Sequence, residues 1–81
     1  MGTWKLYILR CKDGTLYTGI TTDVEKRLEM HRSGKGAKYT RGRGPLELVY
    51  LEDCGDHSSA LKREWEIKHL HREEKEKLIE K

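Results

Sequence analysis

The Asp13-Gly14 pair sits between two β-forming runs, Trp4 to Cys11 and Leu16 to Ile20, and commits the start of the chain to an antiparallel hairpin. The first run, WKLYILRC, is rich in aromatic and branched residues with Lys5 and Arg10 interspersed. The second, LYTGI, carries a glycine in its interior. Gly19 there implies either a bulge or a place where another group comes close to the backbone. Everything downstream must fold around this hairpin.

A helix begins at Thr22-Asp23-Val24-Glu25, where Thr22 and Glu25 have capping-box spacing and Asp23 is an alternative cap. Val24, Leu28 and His31 recur at i, i+4 and i+7, so one narrow face points inward. Ser33-Gly34-Lys35-Gly36 ends this helix. A basic, glycine-rich loop, Ala37 to Pro45, leads to a third strand, Leu46 to Leu51. Asp53 to Ser59 reads as a turn that caps the next helix, in which Ala60, Leu61, Glu64, Trp65, Lys68 and Leu70 follow at helical spacing. A charged helix over 73–81 ends the chain; the pattern leaves open whether it runs on from the preceding helix or breaks near His69–His71. The order β-β-α-β-α-α predicts an α+β fold, a small three-stranded antiparallel sheet flanked by helices, with residues 1–81 as one domain. With no Phe in the chain, two Trp, four Tyr and the aliphatic residues are expected to build a thin core.

The charge distribution narrows the class of partner. Residues 1–45 carry a net +6 and residues 46–81 a net −3. Between Lys26 and Arg43 seven basic residues stand against Glu29, a density that attracts polyanions through counterion release. No apolar run approaches the roughly 18 residues that cross a bilayer, and no signal peptide precedes the first strand, so a cytoplasmic protein without membrane association is expected. Cys11 and Cys54 fit that compartment as free thiols. Cys54 and His57 resemble half of a zinc site, but the partner pair is absent, and His69 and His71, two residues apart, do not face each other on a helix.

Five polar residues are placed so that the elements aim them at one region: Tyr7 and Tyr17 on the hairpin, Arg27 and His31 one helical turn apart, and Glu64 in the helical stretch that follows Ser59. Taken singly, each has an ordinary reading: strand aromatics, a surface arginine, a helix-edge histidine, and a glutamate paired with Lys68 at i,i+4. Taken together they resemble the GIY-YIG nuclease family. Leu6-Tyr7-Ile8 and Tyr17-Thr18-Gly19, ten residues apart, look like the two halves of its signature. Asp23 to Leu28 resembles the helix that carries the family's arginine, His31 falls where the family has His or Tyr, and Ser59 to Trp65 resembles the helix bearing its metal-binding glutamate. Tyr-Thr-Gly-Ile-Thr, Ser-Gly-Lys-Gly-Ala-Lys and Ala-Leu-x-x-Glu-x-x-x-Lys bring it nearest to the small stand-alone bacterial members, relatives of the nuclease module of the excision-repair enzyme UvrC. The first motif departs from the pattern in lacking its leading glycine, and the chain has no Asn to follow the metal-binding glutamate.

The resemblance implies a metal-dependent endonuclease acting on DNA in repair or processing. Glu64 would hold one Mg²⁺ or Mn²⁺, and Arg27 would bind the scissile phosphate. Tyr7 or Tyr17 would take a proton from water, with His31 assisting. Lys26, Arg32, Lys35, Lys38, Tyr39, Arg41 and Arg43 would hold flanking nucleic acid. The competing expectation is a nucleic-acid-binding adaptor that keeps the site with little or no turnover. Phosphate contacts carry little base information, so strong sequence specificity is not expected.

Overall fold

A computed structural model describes residues 3–33 and 46–80. Its elements are β1 (Trp4–Arg10), β2 (Leu16–Thr21), α1 (Val24–Arg32), β3 (Glu47–Gly55), α2 (His57–Lys68) and α3 (Arg72–Ile79). The strands form one antiparallel sheet, as the sequence pattern predicts, and their order is β2-β1-β3.

The hairpin closes as the Asp-Gly signal requires. Gly14 donates to the Cys11 carbonyl and takes φ +88°, a left-handed value that suits glycine, while Cys11 donates to the Thr15 carbonyl. The Asp13 carboxylate accepts from both the amide and the hydroxyl of Thr15, bracing the turn.

As the central strand, β1 is buried on both faces, which explains its run of four consecutive buried residues from Leu6 to Leu9. On one face Tyr7, Leu9 and Cys11 cluster with Leu46, and Tyr17, Leu28 and Leu48 pack against them. On the other, Leu6 and Ile8 meet Ile67 of α2, with Leu70, Leu78 and Ile79 closing over them. Each fully buried aliphatic side chain here contributes about 1.5–3 kcal/mol relative to exposure.

Two local expectations are revised and two open readings are decided. The N-cap of α1 is Asp23, whose carboxylate accepts from the Lys26 amide at 3.1 Å; Thr22 does not cap. Thr21 instead orders the approach, its hydroxyl donating to the Asp23 carbonyl and accepting from the Asp23 amide. β3 runs to Gly55, four residues past its expected end at Leu51. Asp53 reads as the start of a turn in sequence, but Glu52 and Asp53 are both satisfied within the strand: Lys5 pairs with Asp53, and Arg63 grips Glu52 with two hydrogen bonds at 2.8 and 3.2 Å. Gly55, at φ +82°, turns the chain, and Asp56 then caps α2 by accepting from the Ser59 amide. The open question at His69–His71 resolves as a break, where α2 ends at the His69 cap and Glu74 accepts from the His71 amide to start α3.

The second revision concerns Trp65. It does not belong to the core: it is 63% exposed, and Leu61 beside it is 46% exposed. The face of α2 that meets the sheet is Ala60 and Ile67, both fully buried, and positions 61 and 65 are rotated away from it.

Two links tie α3 to the hairpin. Arg10 Nη2 donates to Glu76 Oε1 at 2.6 Å, and Arg72 Nη2 donates to the Gly14 carbonyl at 2.7 Å. Arg72 and Glu76 also pair along the helix.

Candidate active site

The site grows out of the period-2 alternation of the hairpin. Tyr7 lies opposite Gly19 and Leu9 opposite Tyr17, so both tyrosines join the same face of the sheet. Their ring centroids are 6.3 Å apart. Of the two readings of Gly19, close approach is the one realised, since the β1–β2 pairing runs through it without a bulge. A Cβ built on Gly19 would lie 2.5 Å from Tyr7 Oη and 2.7 Å from Tyr7 Cζ. The Tyr7 ring therefore lies directly over its cross-strand partner, in space that a side chain at 19 would fill.

α1 crosses this face and delivers His31, which is only 3% exposed. Its Nε2 is 3.0 Å from Tyr7 Oη. Its ring meets the Tyr17 ring edge-on at 5.3 Å and the Tyr7 ring at 5.9 Å. Three aromatic rings thus converge, two from the hairpin and one from the helix.

The electrostatics hold the pair neutral. Burial raises the Tyr7 phenol above its ordinary pKa, the neighbouring Tyr17 and the negative charge of Glu64 push the same way, and Arg27 opposes them. Burial lowers the His31 pKa, and the Arg27 guanidinium lowers it further. Near neutral pH the arrangement is a protonated phenol against a neutral imidazole, and the Tyr7 hydroxyl can donate to an unprotonated Nε2.

Arg27, one turn before His31, is half-buried and lines an open notch of about 390 Å³ with Thr21, Thr22, Asp23, Lys26 and Met30. Glu64 reaches the group from α2, its side chain 21% exposed and Oε2 3.3 Å from Lys68 Nζ. The i,i+4 pairing that offers a plain structural reading of Glu64 is therefore present, and Glu64 also acts electrostatically on Tyr7. The structure brings Tyr7, Tyr17, Arg27, His31 and Glu64 into one neighbourhood. Among the expected nucleic-acid contacts, Lys26 lines the notch and Arg32 is exposed beside a separate depression bounded by Cys11, Lys12 and Leu46. Lys35, Lys38, Tyr39, Arg41 and Arg43 lie outside the described residues.

Among the described residues no group of three or more His, Cys, Asp or Glu is placed to hold a metal ion. Glu64 offers a single carboxylate. That donor set does not suit a zinc or calcium cage, but it fits a Mg²⁺-type ion, which keeps several waters and takes one or two carboxylates plus substrate phosphates. Lys68, the direct partner of Glu64, is the site neighbour that the sequence reading treated only as a competing explanation; the Glu64–Lys68 spacing was the signal for it.

A family model described as the GIY-YIG catalytic domain matches residues 3–77. The chain belongs to the GIY-YIG family. Within it, the chain is 57% identical over 75 residues to the UPF0213 protein OB0043 of Oceanobacillus iheyensis, covering 93% of this chain and 87% of the relative. It is 55% identical over 76 residues to a UPF0213 protein of Yersinia pestis, covering 94% and 80% respectively. Two solution structures share the fold. The UPF0213 protein BH0048 of Bacillus halodurans aligns with TM-score 0.63 and 52% identity over 96% of this chain and 83% of that one. The protein EF2693 of E. faecalis aligns with TM-score 0.66 and 37% identity over 96% and 84%. The chain is thus a small GIY-YIG domain of nuclease type with UPF0213 relatives, and GIY-YIG nucleases generally depend on a divalent metal. Among the described residues no helix is long and apolar enough to cross a membrane.

Proposed function

We propose that residues 1–81 act as one GIY-YIG domain that hydrolyses phosphodiester bonds in DNA with a divalent metal, in the setting of repair or processing. The observation that carries this reading is the buried Tyr7–His31 hydrogen bond, within electrostatic reach of Arg27 and, at Tyr7, of Glu64. A purely structural aromatic cluster does not call for a polar pair flanked by a guanidinium and a carboxylate.

Arg27 faces a notch wide enough for a phosphate, and its planar fork can bind two phosphate oxygens, with Lys26 beside it. Tyr7 is protonated in its resting state, so it acts as a relay rather than as a standing phenolate. As the attacking water forms its bond to phosphorus, its proton passes to Tyr7 Oη and the Tyr7 proton passes to His31 Nε2. The phosphorus–oxygen bond to the leaving group breaks, and that oxygen takes a proton from solvent. Tyr17 packs against the His31 ring and holds it in line. Glu64 would hold Mg²⁺ or Mn²⁺, which neutralises charge on the phosphate and leaving oxygen. This division of labour places the proton path at Tyr7 and the supporting role at Tyr17.

A second reading, a nucleic-acid-binding adaptor, draws on the commitment of Glu64 to Lys68. A cleavage screen over linear and branched DNA, with Mg²⁺ or Mn²⁺ against chelator, separates the two. The nuclease reading expects metal-dependent cleavage that Glu64→Ala and Arg27→Ala abolish while the fold is retained. The adaptor reading expects salt-sensitive binding that survives Glu64→Ala, with no cleavage under either metal.

A further inference from the structure

The exposed face of α2 carries a feature that phosphate chemistry does not use. Leu61, Trp65 and His69 follow one another at i, i+4 and i+8, away from the buried Ala60 and Ile67. Trp65 remains 63% exposed, although burying so large an apolar ring would be favourable. The indole is also held in place. The His69 ring stacks on it with centroids 4.1 Å apart and an interplanar angle of 29°, and His69 Nδ1 donates to the Trp65 carbonyl at 2.7 Å. Two aromatic rings are thereby fixed as one plate facing solvent.

The location of this plate bears on its use. Trp65 directly follows Glu64, and Lys68, three residues beyond Trp65, sets its ammonium 3.3 Å from the Glu64 carboxylate. Lys68, the partner of Glu64, is thus also an i,i+3 neighbour of Trp65 on the helix surface. Lys62 is exposed beside Leu61, and the acidic Glu66 is turned toward Arg63 at 3.7 Å. The strip combines one aromatic plate with cations and little further apolar surface. A stable protein partner needs roughly 800 Å² on each side, well beyond one ring pair and one leucine. A nucleotide needs one flat ring for its base and a cation for its phosphate, and both are here.

Building on the nuclease reading, we propose that Trp65 and His69 form a stacking platform for one unpaired base next to the phosphate bound by Arg27. The substrate class is then nucleic acid with an unpaired nucleotide at the cut, whether a single strand, a frayed end or a branch. Every base presents a π-face, so the platform adds affinity without sequence preference.

The test is binding by the full chain in chelator, where cleavage cannot contribute. The probes are a labelled oligothymidylate of about twelve nucleotides and an abasic oligomer of the same length, within the usual range of single-strand site sizes. Trp65→Ala is expected to weaken oligothymidylate binding about ten-fold while abasic binding changes less than about two-fold, and Trp65→Phe to restore most of the loss. Trp65 is exposed, so the variants should keep the wild-type circular dichroism spectrum and melting curve. Equal weakening of both probes, or no weakening of either, overturns the platform. So does an unchanged oligothymidylate affinity accompanied by altered self-association in sedimentation, which would assign the strip to a second copy of the chain. Failure here with Glu64-dependent cleavage intact removes the platform alone; cleavage that ignores Glu64 removes the assignment of the site beneath the platform instead, and absence of cleavage under either metal removes the nuclease reading.

Discussion

Gly19→Ala is the substitution whose outcome follows most directly from the geometry. The new methyl would start 2.5 Å from Tyr7 Oη, 2.7 Å from Cζ and 3.1 Å from Cε1. Comfortable contacts begin near 3.5 Å, so the Tyr7 ring must retreat by about 1 Å. It has little space to do so, being 2% exposed and packed among Leu9, Cys11 and Leu46. Overpacking of this kind costs about 1–3 kcal/mol. Alanine recovers about 0.5–1 kcal/mol through its lower entropy cost in a strand, so the clash prevails. The retreat would also disturb the geometry of the 3.0 Å Tyr7–His31 bond, at a further cost of up to about 1 kcal/mol. A net loss of about 1–3 kcal/mol corresponds to a melting point lower by about 4–8 °C per kcal/mol for a domain of this size. The assay is thermal unfolding by circular dichroism, run as a double-mutant cycle with Tyr7→Phe. Removing Oη deletes the nearest atom, so Gly19→Ala should cost less in the Tyr7→Phe background than in wild type. Equal cost in both backgrounds, or a melting point at or above that of wild type, would refute the placement of the ring over Gly19.

Other outcomes follow from the same contacts. Stability should fall at both ends of the pH scale. The His31 pKa is depressed in the fold, so its contribution is present above the ordinary histidine value near 6.5 and is lost as the pH falls; the Tyr7 pKa is raised, so its contribution is present below about 10 and is lost above it. Tyr7→Phe should remove most of the alkaline loss, which urea midpoints at a series of pH values can read. Arg10→Ala should lower stability by about 1 kcal/mol, because the Arg10–Glu76 bond is charge-assisted but both side chains are about one-third exposed; the check is hydrogen exchange, with the largest loss of protection in α3. Ile67→Ala empties the centre of the second cluster and should cost about 2–5 kcal/mol by denaturant titration.

The parts of the structure that were legible in advance are those in which local chemistry decides the outcome. The Asp13-Gly14 turn and the alternation of its flanking strands placed Tyr7, Tyr17 and Gly19 on one face, and the three-residue and four-residue spacing of α1 turned His31 inward. What was not legible depended on partners distant in sequence. Asp53 reads as the start of a turn until Lys5 is seen to pair with it, and Glu52 is held in the strand by Arg63, so the sequence alone ends β3 too early. Thr22 and Asp23 are both competent caps, and the neighbouring Thr21 side chain helps to fix Asp23 in that position. Trp65 was assigned to the core because a chain without Phe is short of large apolar residues, yet the rotation of α2 is set by Ala60 and Ile67 against the sheet. That these five side chains share one neighbourhood follows from element order and spacing, whereas the protonated state of Tyr7 is set by burial and is not legible in the sequence.

The central claim is that this aromatic and charged cluster is a phosphodiester-cleaving site, and Glu64→Gln tests it most directly because it removes the charge while keeping the shape of the side chain. Its structural cost is small, since the lost partner is a half-exposed Lys68. The measurement is nicking of DNA by wild-type and Glu64→Gln protein in Mg²⁺, at equal folded concentration. The account predicts metal-dependent cleavage by the wild type and a loss of about 100-fold or more in the variant, the scale expected when transition-state charge loses its stabilisation. Undiminished cleavage by Glu64→Gln would contradict it.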